Sequence, residues 1–157
     1  VIYPFMKRYT HWPQFILSVA FSFSIPMAFA AQTGRVSLTA GILMLINMLW
    51  TIAYDTEYAM VDRADDLKIG IKSTAILFGG DDRFMIGLFQ CAVIVLLCGL
   101  GFLEKFSFIY FIAIFIAILL FIYQQKLIAT RILSNYFRAF LNNQWVGLII
   151  FAGILLK

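Results

Sequence analysis

Apolar residues run almost unbroken over positions 13–31 and again over about 36–54, separated by the polar turn 32–35. A run of roughly twenty apolar residues matches the length of a bilayer-crossing helix. A surface helix of a soluble protein would interrupt such a run with a polar face every few positions. A long polar segment, 55–83, follows. Apolar character then returns over 84–103, turns at Glu104-Lys105, and continues over 106–123. A second polar stretch, 124–138, leads to a last apolar run, 145–156. That run is too short to cross alone, so the predicted span borrows 139–144. Asn142, Asn143 and Gln144 must then face other helices, because an amide against lipid has no partner. The pattern predicts an all-α fold, a polytopic transmembrane bundle of about five spans. Pro13 suits a first helical turn, and Pro26 predicts a kink in the first span. No repeat or linker divides the chain, so 1–157 reads as one transmembrane domain carrying a polar motif segment at 55–83.

Composition agrees. Of 157 residues, 63% are hydrophobic and 13% charged, against roughly half and a quarter in soluble domains. Mean hydropathy is +0.94. A water-soluble globular protein, a disordered chain and a disulfide scaffold are excluded, and the expected surroundings are a lipid bilayer. The net charge of +4 does not argue for nucleic acid, since the basic residues lie in loops. Five spans put Lys7, Arg8, Arg63, Lys68, Lys72, Arg83, Lys126, Arg131 and Arg138 on one side. Arg35, Lys105 and Lys157 fall on the other. Basic loops stay cytoplasmic, so the expected location is a bacterial inner membrane with segment 55–83 facing the cytoplasm. Cys91 and Cys98, seven apart inside a span, read as packing residues rather than a disulfide or metal pair.

The acids are not spread evenly. Asp55, Glu57, Asp62, Asp65 and Asp66 are five of the eight Asp and Glu, and they fall within twelve positions. If the helix continues past residue 54, Asp55, Asp62 and Asp66 share one stripe with Tyr58 beside them. Asp65 points elsewhere. A charge run is commonly just a solvated face. Here it stands where a span leaves the hydrocarbon, in a chain that otherwise avoids acids, with Arg63, Lys68 and Lys72 in the same segment and Lys7 and Arg8 on the same side. Carboxylates that hold Mg²⁺, beside cations that hold phosphate oxygens, make a diphosphate site. The eight acids are expected at loops or span ends, which disfavours a cation transporter with acids at mid-membrane.

Two stretches carry a resemblance. Tyr3-Pro-Phe-Met-Lys-Arg-Tyr-Thr-His-Trp-Pro-Gln14 resembles the YP-x-x-KR-x-T-x-x-PQ stretch of the UbiA family of membrane prenyltransferases. Asp55-Thr-Glu-Tyr-Ala-Met-Val-Asp-Arg-Ala-Asp-Asp66, followed by Lys68-Ile-Gly-Ile-Lys-Ser-Thr74, is similar to that family's second aspartate-rich motif, and Asn143-Gln-Trp-Val-Gly147 to its last helix. The resemblance implies a nine-helix fold around a cavity with two aspartate-rich motifs facing each other at its mouth. The first motif, N-D-x-x-D-x-x-x-D, is absent here, and the chain starts at Val1. The expectation is a C-terminal part of a longer enzyme, inactive alone.

The reaction so implied is Mg²⁺-dependent transfer of a polyprenyl group from polyprenyl diphosphate to an aromatic ring, 4-hydroxybenzoate of the ubiquinone pathway in the branch that matches best. Haem, menaquinone and chlorophyll relatives share the scaffold. The resemblance assigns Asp62 and Asp66 as the D-x-x-x-D metal pair and Arg8 as a basic group for diphosphate or carboxylate; Asp55, which shares their helical stripe, is the third acid. Lys7 and Tyr58 are further substrate-binding candidates. Lys68 and Lys72 either contact phosphate or anchor topology. His11, the only histidine, reads as an interface residue, with a proton-accepting role open. The phenylalanines of the fourth span (Phe106, Phe108, Phe111, Phe115, Phe121) read as lipid-facing bulk, and Gly99-Leu-Gly101 as helix packing. A CDP-alcohol phosphotransferase fits poorly, because Asp55 is followed by Thr56 rather than Gly.

Overall fold

The computed structural model describes residues 3–156, with side chains from residue 6 onward. Eight α-helices follow one another: α1 (Tyr3–Tyr9), α2 (Pro13–Ser22), α3 (Ser24–Thr33), α4 (Leu38–Ile69), α5 (Thr74–Phe78), α6 (Asp82–Leu103), α7 (Phe108–Ala129) and α8 (Leu133–Leu155). A single 3₁₀ turn, Gly79–Asp81, joins α5 to α6. Among the described residues there is no strand. Five stretches are long and apolar enough to cross a membrane: Pro13–Thr33, Leu38–Ile69, Thr74–Leu103, Phe108–Ala129 and Leu133–Leu155. The chain is a multi-pass membrane protein.

Several boundaries differ from the sequence pattern. The first span breaks at Phe23 into α2 and α3. Pro26 has no N–H for the carbonyl of Ser22, one turn back, so the break precedes the proline by three residues. The polar stretch 124–138 is not a loop. α7 runs to Ala129 and α8 starts at Leu133, because Gln124, Gln125 and the amides of α8 find partners inside the bundle. Arg131, at φ 57° in the left-handed region, makes the tight reversal between them.

The largest surprise of length is α4. Between Gly41 and Gly70 it holds no glycine or proline, and it runs 32 residues from Ser37, whose hydroxyl accepts from the N–H of Ala40, to Gly70 in the left-handed conformation. Thirty-two residues span about 48 Å, against about 30 Å of hydrocarbon. The last turns, Asp62–Ile69, therefore stand outside the membrane as a rigid extension. The acidic motif rides on a helix, not a flexible loop.

α4, α6, α7 and α8 enclose one core of Ile46, Val93, Leu97, Leu100, Tyr110, Ile114, Ala117, Phe121, Val146 and Ile150. Phe121 belongs to this core, whereas Phe108 and Phe115 face outward. Small residues let the helices approach. A Cβ on Gly101 would lie 2.6 Å from the Tyr110 ring, and one on Gly153 2.5 Å from Ala113. Gly99 faces open space, so only half of the Gly-Leu-Gly pair is a packing device. α2 lies against α4 and carries the N-terminal segment to the rim where α4 emerges.

Candidate active site

The two motifs separated in sequence meet at this rim. Lys72 N–H donates to the carbonyl of Lys7 at 2.8 Å. The Lys72 ammonium donates to the carbonyl of Tyr9 at 3.4 Å. Below them the buried Gln14 side chain accepts from the N–H of Thr74 at 3.1 Å, and the Thr74 and Thr56 hydroxyls share a 2.7 Å hydrogen bond. The loop 70–73 that ends the acidic motif is thus strapped to the segment that carries Lys7 and Arg8. Trp12 packs edge-on against Phe78, ring centroids 5.7 Å apart, and closes the same corner.

Within the acidic motif the candidates separate. Asp62 and Asp66 are one turn apart at the end of α4. The carboxyl of Asp66 is pushed up from its ordinary value, first by burial and then by Asp62 and Asp65, while nearby Lys7 acts to lower it. That places Lys7, Asp62 and Asp66 in one electrostatic cluster. Asp55 lies seven residues before Asp62, about 10 Å along the helix, too far to share one ion's inner ligands. Among the described residues, no group of three or more His, Cys, Asp or Glu could hold a metal ion. On α4, Asp62 and Asp66 are the close pair of that stripe, with Asp55 two turns back. A pair suits Mg²⁺, which commonly takes one or two carboxylates and completes its shell with water and substrate phosphates.

The basic candidates also divide. Lys68 pairs with Asp65 at 2.8 Å on the exposed surface, and each holds the other's charge. Arg8 is exposed beside the strap. Arg63 is turned away from the motif and is bound by Asp82. Tyr58 is partly exposed on the α4 face above a cleft. There the aromatic rings of Trp50, Tyr54, Tyr58 and Phe140 stand in edge-to-face and tilted contacts 5.2–6.2 Å apart. This cleft, about 370 Å³, is lined by Asn47, Trp50, Tyr54, Phe140, Leu141, Asn143 and Gln144. Of the three amides expected to face other helices, Asn142 and Asn143 do. Gln144 instead opens onto the cleft. His11 buries an Nδ1 that has no partner among the described residues.

Two arrangements were not visible in the sequence pattern. Asp82, fully buried, binds Arg63 on α4 and the Arg131 guanidinium at 2.6 Å, while Arg131 also donates to the carbonyl of Gly80 at 3.0 Å. Arg131 is held above its ordinary pKa, first by its hydrogen bond to Asp82. One carboxylate thus ties α4, the turn before α6 and the α7–α8 reversal together. The second is a polar knot under the cleft. Asn143 donates to Glu57 at 2.8 Å and accepts from the Trp50 indole N–H at 2.8 Å. Gln90 donates to Gln124 at 2.8 Å, and Gln124 to Asn142 at 3.1 Å. Glu57 is fully buried inside the bundle rather than solvated. A lone Gln90 in the middle of an apolar run was the available signal.

Similarity to known proteins agrees with this geometry. Residues 1–155 match the model of the UbiA prenyltransferase family. The chain is 57% identical over 155 residues to the 4-hydroxybenzoate octaprenyltransferase of Tolumonas auensis, covering 99% of this chain and 54% of that protein. It is 56% identical over 154 residues to the enzyme of that name from Vibrio parahaemolyticus, covering 98% and 54%. The chain spans about half the length of these curated relatives. The apo structure of a UbiA homolog from Aeropyrum pernix K1 superposes with a TM-score of 0.80 at 21% identity, covering 98% of this chain and 58% of that one.

Proposed function

The chain belongs to the UbiA prenyltransferase family, and from that premise we propose that it forms part of an enzyme of the bacterial inner membrane. That enzyme transfers a polyprenyl group from a polyprenyl diphosphate to 4-hydroxybenzoate, as in ubiquinone synthesis. Membership in this family sets aside the phosphotransferase and transporter alternatives. The observation that carries the reading is the strap. It ties the segment carrying Lys7 and Arg8 to the end of the acidic motif and brings Lys7 near Asp66, so cations and carboxylates share one rim.

In this reading Lys7 and Arg8 bind the phosphate oxygens, with Arg8 suited to a two-pronged contact. Asp62 and Asp66 are the residues that would hold Mg²⁺, which neutralises charge on a leaving diphosphate. The C–O bond to the prenyl carbon breaks with its electron pair leaving on the diphosphate. The ring carbon ortho to the phenol attacks the allylic cation, and loss of the ring proton restores aromaticity. The faces of Trp50, Tyr54, Tyr58 and Phe140 suit both partners, since π faces stabilise a nearby cation and exclude water. The chain's own contribution is positioning and charge placed where charge develops.

The test uses the full-length polypeptide with a polyprenyl diphosphate and 4-hydroxybenzoate. Asp62→Ala and Asp66→Ala should each abolish prenylation while the protein stays folded. Wild-type turnover in both variants would overturn the assignment.

A further inference from the structure

The rim has more cations than its acids use. Asp82 pairs with both Arg63 and Arg131, Asp65 engages Lys68, and Lys72 reaches a carbonyl. Arg83 and Lys126 are different. Among the described residues, neither side chain has an ion-pair or hydrogen-bond partner. Both line the mouth of one cleft between α6 and α7, about 530 Å³ in volume and walled by apolar side chains that include Cys91, Ile94, Val95, Ile118 and Ile122. A second cavity of about 590 Å³ continues it outward past Phe84 and Leu88. Gly87 lies at the entrance. A Cβ there would meet only Gln125, at 3.5 Å.

From Arg83 to Val95 is about 18 Å along α6, close to the roughly 15 Å depth of one leaflet. We propose that this cleft binds an anionic phospholipid. Its phosphate sits between Arg83 and Lys126, and one acyl chain lies along Gly87, Cys91 and Val95. Charge complementarity carries the choice of occupant. Two uncompensated cations sit at the headgroup end of an otherwise apolar slot, and a zwitterionic lipid offers them no net charge. The Gln125 side chain, which donates to Gln90 at 3.0 Å, supplies a polar group at the depth of the glycerol esters. Gly87 and Cys91 thereby gain a role that packing within the bundle does not give them.

The full-length protein, purified in a neutral detergent, would be titrated with phosphatidylglycerol or phosphatidylcholine and its Tm recorded. Phosphatidylglycerol should raise the Tm at concentrations where phosphatidylcholine does not. In Arg83→Ala/Lys126→Ala the phosphatidylglycerol needed for the same rise should increase by about thirtyfold, from roughly fivefold per cation at a membrane surface. Gly87→Leu, which fills the slot without changing charge, should weaken the effect as well, and a wild-type Tm in detergent alone shows that each variant folds. Equal stabilisation by both lipids would overturn the proposal, as would an undiminished phosphatidylglycerol effect in the double variant. It would also fail if geranyl diphosphate, rather than phospholipid, produced the Arg83- and Lys126-dependent rise.

Discussion

The side-chain oxygen of Gln14 accepts the backbone N–H of Thr74 across 3.1 Å, from sixty residues away, with both residues fully buried. This bond fixes the end of the acidic motif to the basic N-terminal segment. Gln14→Ala would leave a buried N–H unpaired, which costs about 1–3 kcal/mol. The expected outcome is a lower Tm and a raised KM for the prenyl diphosphate, because Lys7 and the Asp62–Asp66 pair lose their shared anchor. A variant with unchanged Tm and KM would remove the strap from the account.

The spacing along α4 separates the acids by role. Asp62→Ala and Asp66→Ala should raise the Mg²⁺ concentration for half-maximal rate by about tenfold or more where any activity survives. Asp55→Ala should leave that requirement nearly unchanged, since Asp55 lies two turns away. Mg²⁺ titrations of the three variants check this. An equal effect of all three would restore a single three-carboxylate site.

Burial raises the Asp66 carboxyl above the ordinary aspartate value of about 3.9. A ligand carboxylate must lose its proton to bind metal, so protons compete with Mg²⁺ at higher pH than at a free aspartate. The raised folded pKa favours the neutral form, so without metal the fold loses stability as pH rises from the unfolded toward the folded pKa. Measured against pH, the Mg²⁺ requirement should climb on acidification before an unperturbed aspartate would titrate. A flat requirement across that window would contradict the placement of Asp66.

Asp82 holds two guanidiniums from a fully buried position. Asp82→Ala should cost about 3 kcal/mol, because it leaves Arg63 and Arg131 uncompensated and frees three chain segments at once. Thermal unfolding of the purified variant checks the magnitude. A change under about 0.5 kcal/mol would reduce the triad to an ordinary surface pair.

Sidedness is open to labelling at Asp81, which is exposed in the turn before α6. Asp81→Cys in intact cells should resist a membrane-impermeant maleimide and react after the inner membrane is opened. Reaction in intact cells with a permeable outer membrane would invert the proposed orientation.

Much of this was legible from residue order, and the reasons are physical. Lipid imposes long apolar runs, so the five spans appear directly as hydropathy. The clustering of Asp55, Glu57, Asp62, Asp65 and Asp66 was visible because clustered carboxylates are costly without a partner. Helix ends were less visible. Nothing local distinguishes a polar stretch that is a loop from one such as 124–138, whose amides are satisfied by distant helices. The Asp82 triad and the Glu57–Asn143 pair join residues 19 to 86 positions apart, and that pairing exists only once the bundle has closed. The cleft of Trp50, Tyr54 and Phe140 was hidden for the same reason. Trp50 and Tyr54 stand on α4 and Phe140 on α8, so the cleft exists only once those helices lie side by side.

The most direct measurement is prenyl transfer to 4-hydroxybenzoate by the full-length membrane enzyme after exhaustive chelation. Activity should vanish, return on adding Mg²⁺, and fail to return in Asp62→Ala at the same metal concentration. Full turnover in the chelated wild type, or equal rescue of the Asp62 variant, would contradict the claim that this rim grips a metal-borne diphosphate.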